Sequence, residues 1–258
     1  MIIDTHAHYD DERFEGDREA LLVEMNPAGV CRIINVGASI ESTKTTLELA
    51  KDHEYIYAAV GVHPSDIEGL NEETYDWLRQ QTSWEKTVAV GEIGLDYYWD
   101  KESEVQARQR EWFLRQIDLA AESNLPVIIH SRDAAEDTMA IMKKAHAMKV
   151  PGVIHCYSYS REIAEEYVKM GYYIGVGGVV TFKNARKLVE TVEAIPLEQI
   201  LIETDCPYMA PEPYRGKRNS SLYLPYVVEK IAEIKGILPE KVMKVTEENA
   251  YRLFTKMK

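Results

Sequence analysis

Eight short apolar runs, spaced along 258 residues with helical stretches between them, leave this chain very few folds to choose from. The runs are residues 1–6, 32–36, 55–62, 87–93, 126–130, 152–155, 172–176 and 199–205. Several are nearly unbroken Val/Ile segments, which is how strands covered on both faces read. Amphipathic spacing predicts helices over 104–123, 133–147, 161–170, 185–194 and 222–235, with a last one over 239–256. In the clearest, 104–123, Trp112, Phe113, Gln116, Ile117, Leu119 and Ala120 are spaced for one buried face. Eight strand–helix units in series predict a closed parallel (β/α)8 TIM barrel with an extra C-terminal helix. An open doubly wound sheet is the alternative. The length suits one such barrel, so a single domain over 1–258 is expected.

The N-terminal Met1-Ile2-Ile3-Asp4-Thr5-His6 lacks the basic and apolar regions of a signal peptide. No apolar run reaches membrane-spanning length. A cytoplasmic protein without membrane contact or an obligate protein partner is therefore expected. Cys31, Cys156 and Cys206, an odd count without CxxC spacing, predict neither a disulfide framework nor a thiolate zinc site. A net charge of −13 argues against a broad nucleic-acid footprint. It leaves a phosphate-bearing substrate open, because divalent ions in a site supply positive charge locally.

Of seven histidines, His6, His8, His63, His130 and His155 sit at or just past the end of a predicted strand. Glu92 and Asp205 hold equivalent places on the fourth and eighth. A lone histidine is usually a satisfied core or loop residue, and His53 and His146 read as surface residues. Five on one rim are hard to assign to packing, since barrel active sites are built from the C-terminal strand ends. His6 and His8, two apart, project from the same strand face and can chelate one ion. Glu92, inside the apolar Ala89-Val90-Gly91-Glu92-Ile93, needs a cation or donors to offset its desolvation, and its two oxygens suit a bridge between metals. Asp96 reads as a turn or capping residue. Glu203, two residues before Asp205, is expected to orient a ligand or His63 by hydrogen bond. The other reading of Glu203 is a buried ion pair with Arg132 or Lys217.

The donors are nitrogen and oxygen without thiolates, which suits zinc, manganese, magnesium, nickel or iron. Six ligands exceed the needs of one tetrahedral catalytic zinc. Two divalent ions roughly 3.5–4 Å apart, bridged by Glu92, would use them all.

The ordered set Asp4-Thr5-His6-Ala7-His8, Gly61-Val62-His63-Pro64, Gly91-Glu92-Ile93-Gly94-Leu95-Asp96-Tyr97, His130-Ser131-Arg132, His155-Cys156-Tyr157-Ser158 and Glu203-Thr204-Asp205-Cys206-Pro207 resembles the TatD family of metal-dependent deoxyribonucleases, within the amidohydrolase-like barrels. The resemblance covers essentially the whole chain. It implies a metal-dependent hydrolase, with 3′-to-5′ exonuclease action on DNA ends, and carries metal-binding roles onto His6, His8, Glu92, His130, His155 and Asp205. The chain departs from the family pattern twice. Gly216-Lys217-Arg218-Asn219 runs into Ser220-Ser221 where the family has Glu-Pro, and Tyr157-Ser158-Tyr159 replaces a Phe-Ser-Gly segment. Neither departure touches a proposed ligand, and both fall in loops expected to face substrate.

The expected chemistry is phosphodiester hydrolysis by a metal-activated water, with Asp205 as ligand and general base. His63 would orient substrate or protonate the leaving oxygen. Arg132, Lys217 and Arg218 would offset charge on the phosphoryl group, and Arg215 extends that basic cluster. Two rivals remain. The same centre could polarise an amide, a lactone or an aminoacyl-tRNA ester, though Glu92 stands where many cyclic amidases carry a carboxylated lysine. A non-catalytic metal-binding barrel should have lost a ligand, and none is missing.

Overall fold

Val, Ile and Ala dominate the strands of the computed structural model because most strands are covered on both faces, and β4 (Thr87–Asp96) buries all ten of its residues. The structure describes residues 1–257. Among these, the other strands are β1 (Ile2–Ala7), β2 (Val30–Val36), β3 (Ile56–Val60), β5 (Val127–Arg132), β6 (Gly152–Ile154), β7 (Tyr173–Val176) and β8 (Ile200–Ile202). The helices are α1 (Arg18–Val23), α2 (Ile40–Asp52), α3 (Glu72–Gln81), α4 (Ser103–Ser123), α5 (Ala135–Ala147), α6 (Arg161–Lys169), α7 (Arg186–Ala194), α8 (Leu224–Lys235) and α9 (Pro239–Leu253). The strands form one sheet in sequence order, parallel wherever pairing is defined. Ala7 also makes a parallel bridge to Cys206, just past β8. This is the (β/α)8 barrel, and α9 is its extra C-terminal helix.

The chain divides into two compact units. One comprises Met1–Asn35 and Cys156–Arg252, with Ile3, Ile33, Tyr167, Ile174, Leu201 and Ile231 in its core. The other comprises Val36–His155 and the C-terminal residues from Leu253, with Ile56, Val90, Phe113, Ile117, Ile128 and Met142 buried. Helix ends follow local chemistry. Asn71 and Thr74 form a reciprocal capping box on α3. Asn124 and Gly236, both left-handed, stop α4 and α8.

Three boundaries differ from the sequence reading in ways that matter for function. β8 ends at Ile202, so Glu203 and Asp205 stand on the connection beyond it. The left-handed backbone of Asp205, φ 56°, is incompatible with a continuing strand. β4 runs on to Asp96, which is a buried strand-end residue rather than a loop residue. α1, α2 and α3 lie outside the predicted ranges, and in α2 the buried positions include Thr43 and Thr46 instead of a plain apolar stripe.

Candidate metal centre

In the first unit, β1 delivers His6 and the next residue but one, His8, from the same face. Their Nε2 atoms lie 3.0 Å apart, with the rings edge to face. Asp205 Oδ1 stands 3.5 Å from His8 Nε2 and 3.9 Å from His6 Nε2. Two ladder bonds fix this approach: Asp205 N–H donates to His6 O, and His8 N–H donates to Cys206 O. Two imidazole nitrogens facing each other share at most one proton between them. A divalent cation taking both lone pairs and a carboxylate oxygen fits this donor set.

Asp4 braces the cluster from below. Its Oδ1 accepts from the backbone N–H of His6 and Thr204, and its Oδ2 from the hydroxyls of Thr204 and Ser221. Complete burial pushes its pKa up to about 6, against the pull of these four bonds. One carboxylate thereby ties the strand carrying His6 to the connection carrying Asp205.

In the second unit, Glu92 Oε1 lies 2.8 Å from His130 Nδ1, 3.8 Å from His63 Nε2 and 3.8 Å from His155 Nε2. His130 Nε2 meets Asp96 Oδ2 at 3.1 Å, leaving Nδ1 directed at Glu92. Burial lowers the His130 pKa, but hydrogen bonds to Asp96 and Glu92 outweigh it and raise the value above its ordinary position. Asp96 shifts the other way: burial would raise it, and the bonds from His130 and two backbone N–H groups hold it below the usual carboxylate range. A histidine that donates one N–H to a carboxylate presents its other nitrogen as a ligand.

His63 differs. Ser65 N–H donates to its Nδ1, so a neutral ring carries its proton on Nε2, the atom facing Glu92. That tautomer suits a proton donor better than a metal ligand.

Two buried glutamines on α4 hold the strand ends in place. Gln116 accepts from Val62 N–H and donates to Val62 O, immediately before His63. Gln109, seven residues earlier on the same helix face, does the same for the backbone of Asp96. Gly94 permits the close approach of β4 to β5 at His130, since a Cβ there would sit 1.9 Å from His130 O.

The remaining predicted site residues are distributed more widely. Glu203 Oε1 accepts from Cys156 N–H at 2.6 Å, and Gly175 leaves the space its carboxylate occupies. Arg218 is held bidentately by Asp17 and also donates to Arg13 O. Lys217 lies over the Tyr214 ring, and Arg215 over Phe182. Arg132, two residues past His130, lies over Tyr98 with its centre 3.9 Å from the ring centroid. Asp96 and the two glutamines escaped the sequence reading as site residues. The spacing held a signal for Asp96, because positions 92, 94 and 96 alternate onto one strand face.

The departures from the family pattern have structural partners. Ser221 bonds to Asp4 and to the Tyr9 hydroxyl, while Asn219 clamps Thr204 O and Tyr208 O. Tyr157 is buried and donates to Ser160 O.

Comparison with known proteins identifies the family. The sequence model of TatD-related DNases matches residues 3–255. A Bacillus subtilis protein named an uncharacterized metal-dependent hydrolase, YabD, is 45% identical over 254 residues, covering 98% of this chain and 99% of its own. An Escherichia coli counterpart, YcfH, is 36% identical over 260 residues, covering 98% and 96%. The crystal structure of the E. coli TatD homologue YjjV superposes with a TM-score of 0.92 at 34% identity, covering 98% of each chain. The chain belongs to the TatD-related DNase family and is a metal-dependent hydrolase.

Proposed function

We propose that this hydrolase is a phosphodiesterase that removes nucleotides from the 3′ ends of DNA with two divalent ions. The observation that supports this reading is that each unit carries a mixed nitrogen–oxygen donor group, His6, His8 and Asp205 in one and His63, Glu92 and His130 in the other, with His155 Nε2 3.8 Å from Glu92 and an arginine, Arg132, two residues past His130 on β5. His6, His8 and Asp205 would hold one ion, and Glu92, His130 and His155 the other. Ions bound there would lower the pKa of a water and offset charge on a phosphoryl oxygen.

The chain's own residues do the rest. Asp205, partly open to solvent, accepts the proton of the attacking water as its oxygen bonds to phosphorus. The bond from phosphorus to the 3′ oxygen of the preceding nucleotide breaks. His63 Nε2–H supplies the proton that this oxygen takes up. Arg132 and Lys217 offset charge on the phosphate. Arg218 contributes less directly, because Asp17 already engages its guanidinium. Glu203 fixes the backbone at Cys156, next to His155.

The test is a 5′-labelled single-stranded oligonucleotide incubated with the purified protein and magnesium, manganese or zinc. Shortening from the 3′ end with release of 5′-mononucleotides is expected. No nucleotide release with any ion, alongside turnover of a lactone, an amide or an aminoacyl ester, would overturn the reading.

A further inference from the structure

Tyr98 and Trp99 stand two and three residues past the end of β4 and are 42% and 67% exposed, an unusual place to leave two large rings in the open. Scattered exposed aromatics are common, but the turn carrying this pair is tied down by hydrogen bonds. Asp96 Oδ1 accepts from the backbone N–H of both residues, at 2.9 and 3.2 Å, while its Oδ2 meets His130 Nε2. The same carboxylate that orients a candidate metal ligand therefore anchors the turn bearing the rings.

The rings are also ordered against each other. Trp99 packs edge-on to Tyr98, with centroids 4.7 Å apart and planes at 87°. Arg132 lies over Tyr98 at 3.9 Å and reaches Trp99 at 5.6 Å. Among the described residues no acceptor takes a hydrogen bond from the Arg132 guanidinium, so its N–H groups are available to a ligand. Stacking holds the guanidinium by its face and leaves its edge for a phosphate.

An exposed indole face beside an uncommitted guanidinium, tied to the metal cluster, matches what single-stranded nucleic acid presents: a flat base and a phosphate one backbone unit apart. We infer that Trp99, propped edge to face by Tyr98, forms a stacking platform for the nucleobase of the 3′-terminal nucleotide, with Arg132 binding the scissile phosphate on its 5′ side. This rests on the nucleic-acid reading above and adds the residues that select a base-bearing single strand.

The test compares wild type, Trp99→Ala and Trp99→Phe on oligonucleotides ending in thymidine or in an abasic residue. Wild type should favour the base-bearing end on the order of tenfold in KM, the scale of one base stacked on an aromatic ring. The ratio should fall towards unity in W99A and recover in W99F. An equal preference in wild type and W99A would overturn the platform. Fluorescence anisotropy of the same oligonucleotides, labelled at the 5′ end, on metal-stripped protein separates this from failure of the nuclease reading. Base-dependent binding lost in W99A supports the platform even without turnover. Binding indifferent to the base in the wild-type protein would sink it.

Discussion

Replacing Gln116 with Met removes the amide that closes both hydrogen bonds on Val62 while keeping a side chain of similar length. Gln116 is 1% exposed and Val62 is 1% exposed, so water does not easily take over the freed groups. The lost bonds are 2.9 Å from Val62 N–H and 3.1 Å to Val62 O. Each stranded backbone group costs about 1–3 kcal/mol, and relieving the buried amide of Gln116 offsets part of the sum. A net loss of about 2–4 kcal/mol follows. For a chain of this size that lowers Tm by roughly 4–16 °C. Thermal unfolding in chelator isolates the effect from metal binding. Because Val62 precedes His63, kcat should fall with stability, while Gln109→Met should act through Asp96 and metal affinity instead. A Tm drop below about 1 °C with undiminished turnover would refute the clamp.

Two further substitutions probe the centre itself. Asp205→Asn preserves shape and removes basicity, so steady-state kinetics should show kcat lower by roughly 10²–10⁴ with KM changed far less; survival of kcat within a few-fold removes Asp205 as the base. Asp96→Asn can still accept from Tyr98 and Trp99 N–H, but its amide would face His130 Nε2 and favour a proton on Nδ1. Competition with a chromophoric chelator should then report metal affinity weaker by about 10–100-fold, and an unchanged affinity would mean that Asp96 does not set the His130 tautomer.

The positions of His6, His8, His130 and His155 at or near strand ends were legible in the sequence because an imidazole closing a Val/Ile run is costly without a partner, whereas Glu92, expected near the end of its strand, lies four residues inside β4. The turn role of Asp96 was legible too, and the structure adds its bond to His130, which depends on β4 and β5 pairing as Asp96 with Arg132 and Gly94 with His130. Buried Gln116 already belonged to the predicted apolar face of α4, where an amide needs backbone partners. Which backbone it meets, 54 residues away in the chain, is a tertiary fact. Arg218 looked like a free phosphate contact, but its partner Asp17 lies 201 residues away and no local pattern reveals the pair. The end of β8 was read too late because nothing in Leu201-Ile202-Glu203-Thr204-Asp205 marks the left-handed turn at Asp205.

In the proposed mechanism, hydrolysis depends on ions held by the two donor clusters. The most direct measurement strips the protein with chelator, confirms the absence of metal by mass spectrometry, and follows turnover of an oligonucleotide or a simple phosphodiester as manganese or zinc is added back. The stripped protein should show no turnover, and recovery should saturate at two ions per chain, with His130→Ala and His8→Ala each lowering the number bound. Full turnover in the metal-free sample would contradict this mechanism.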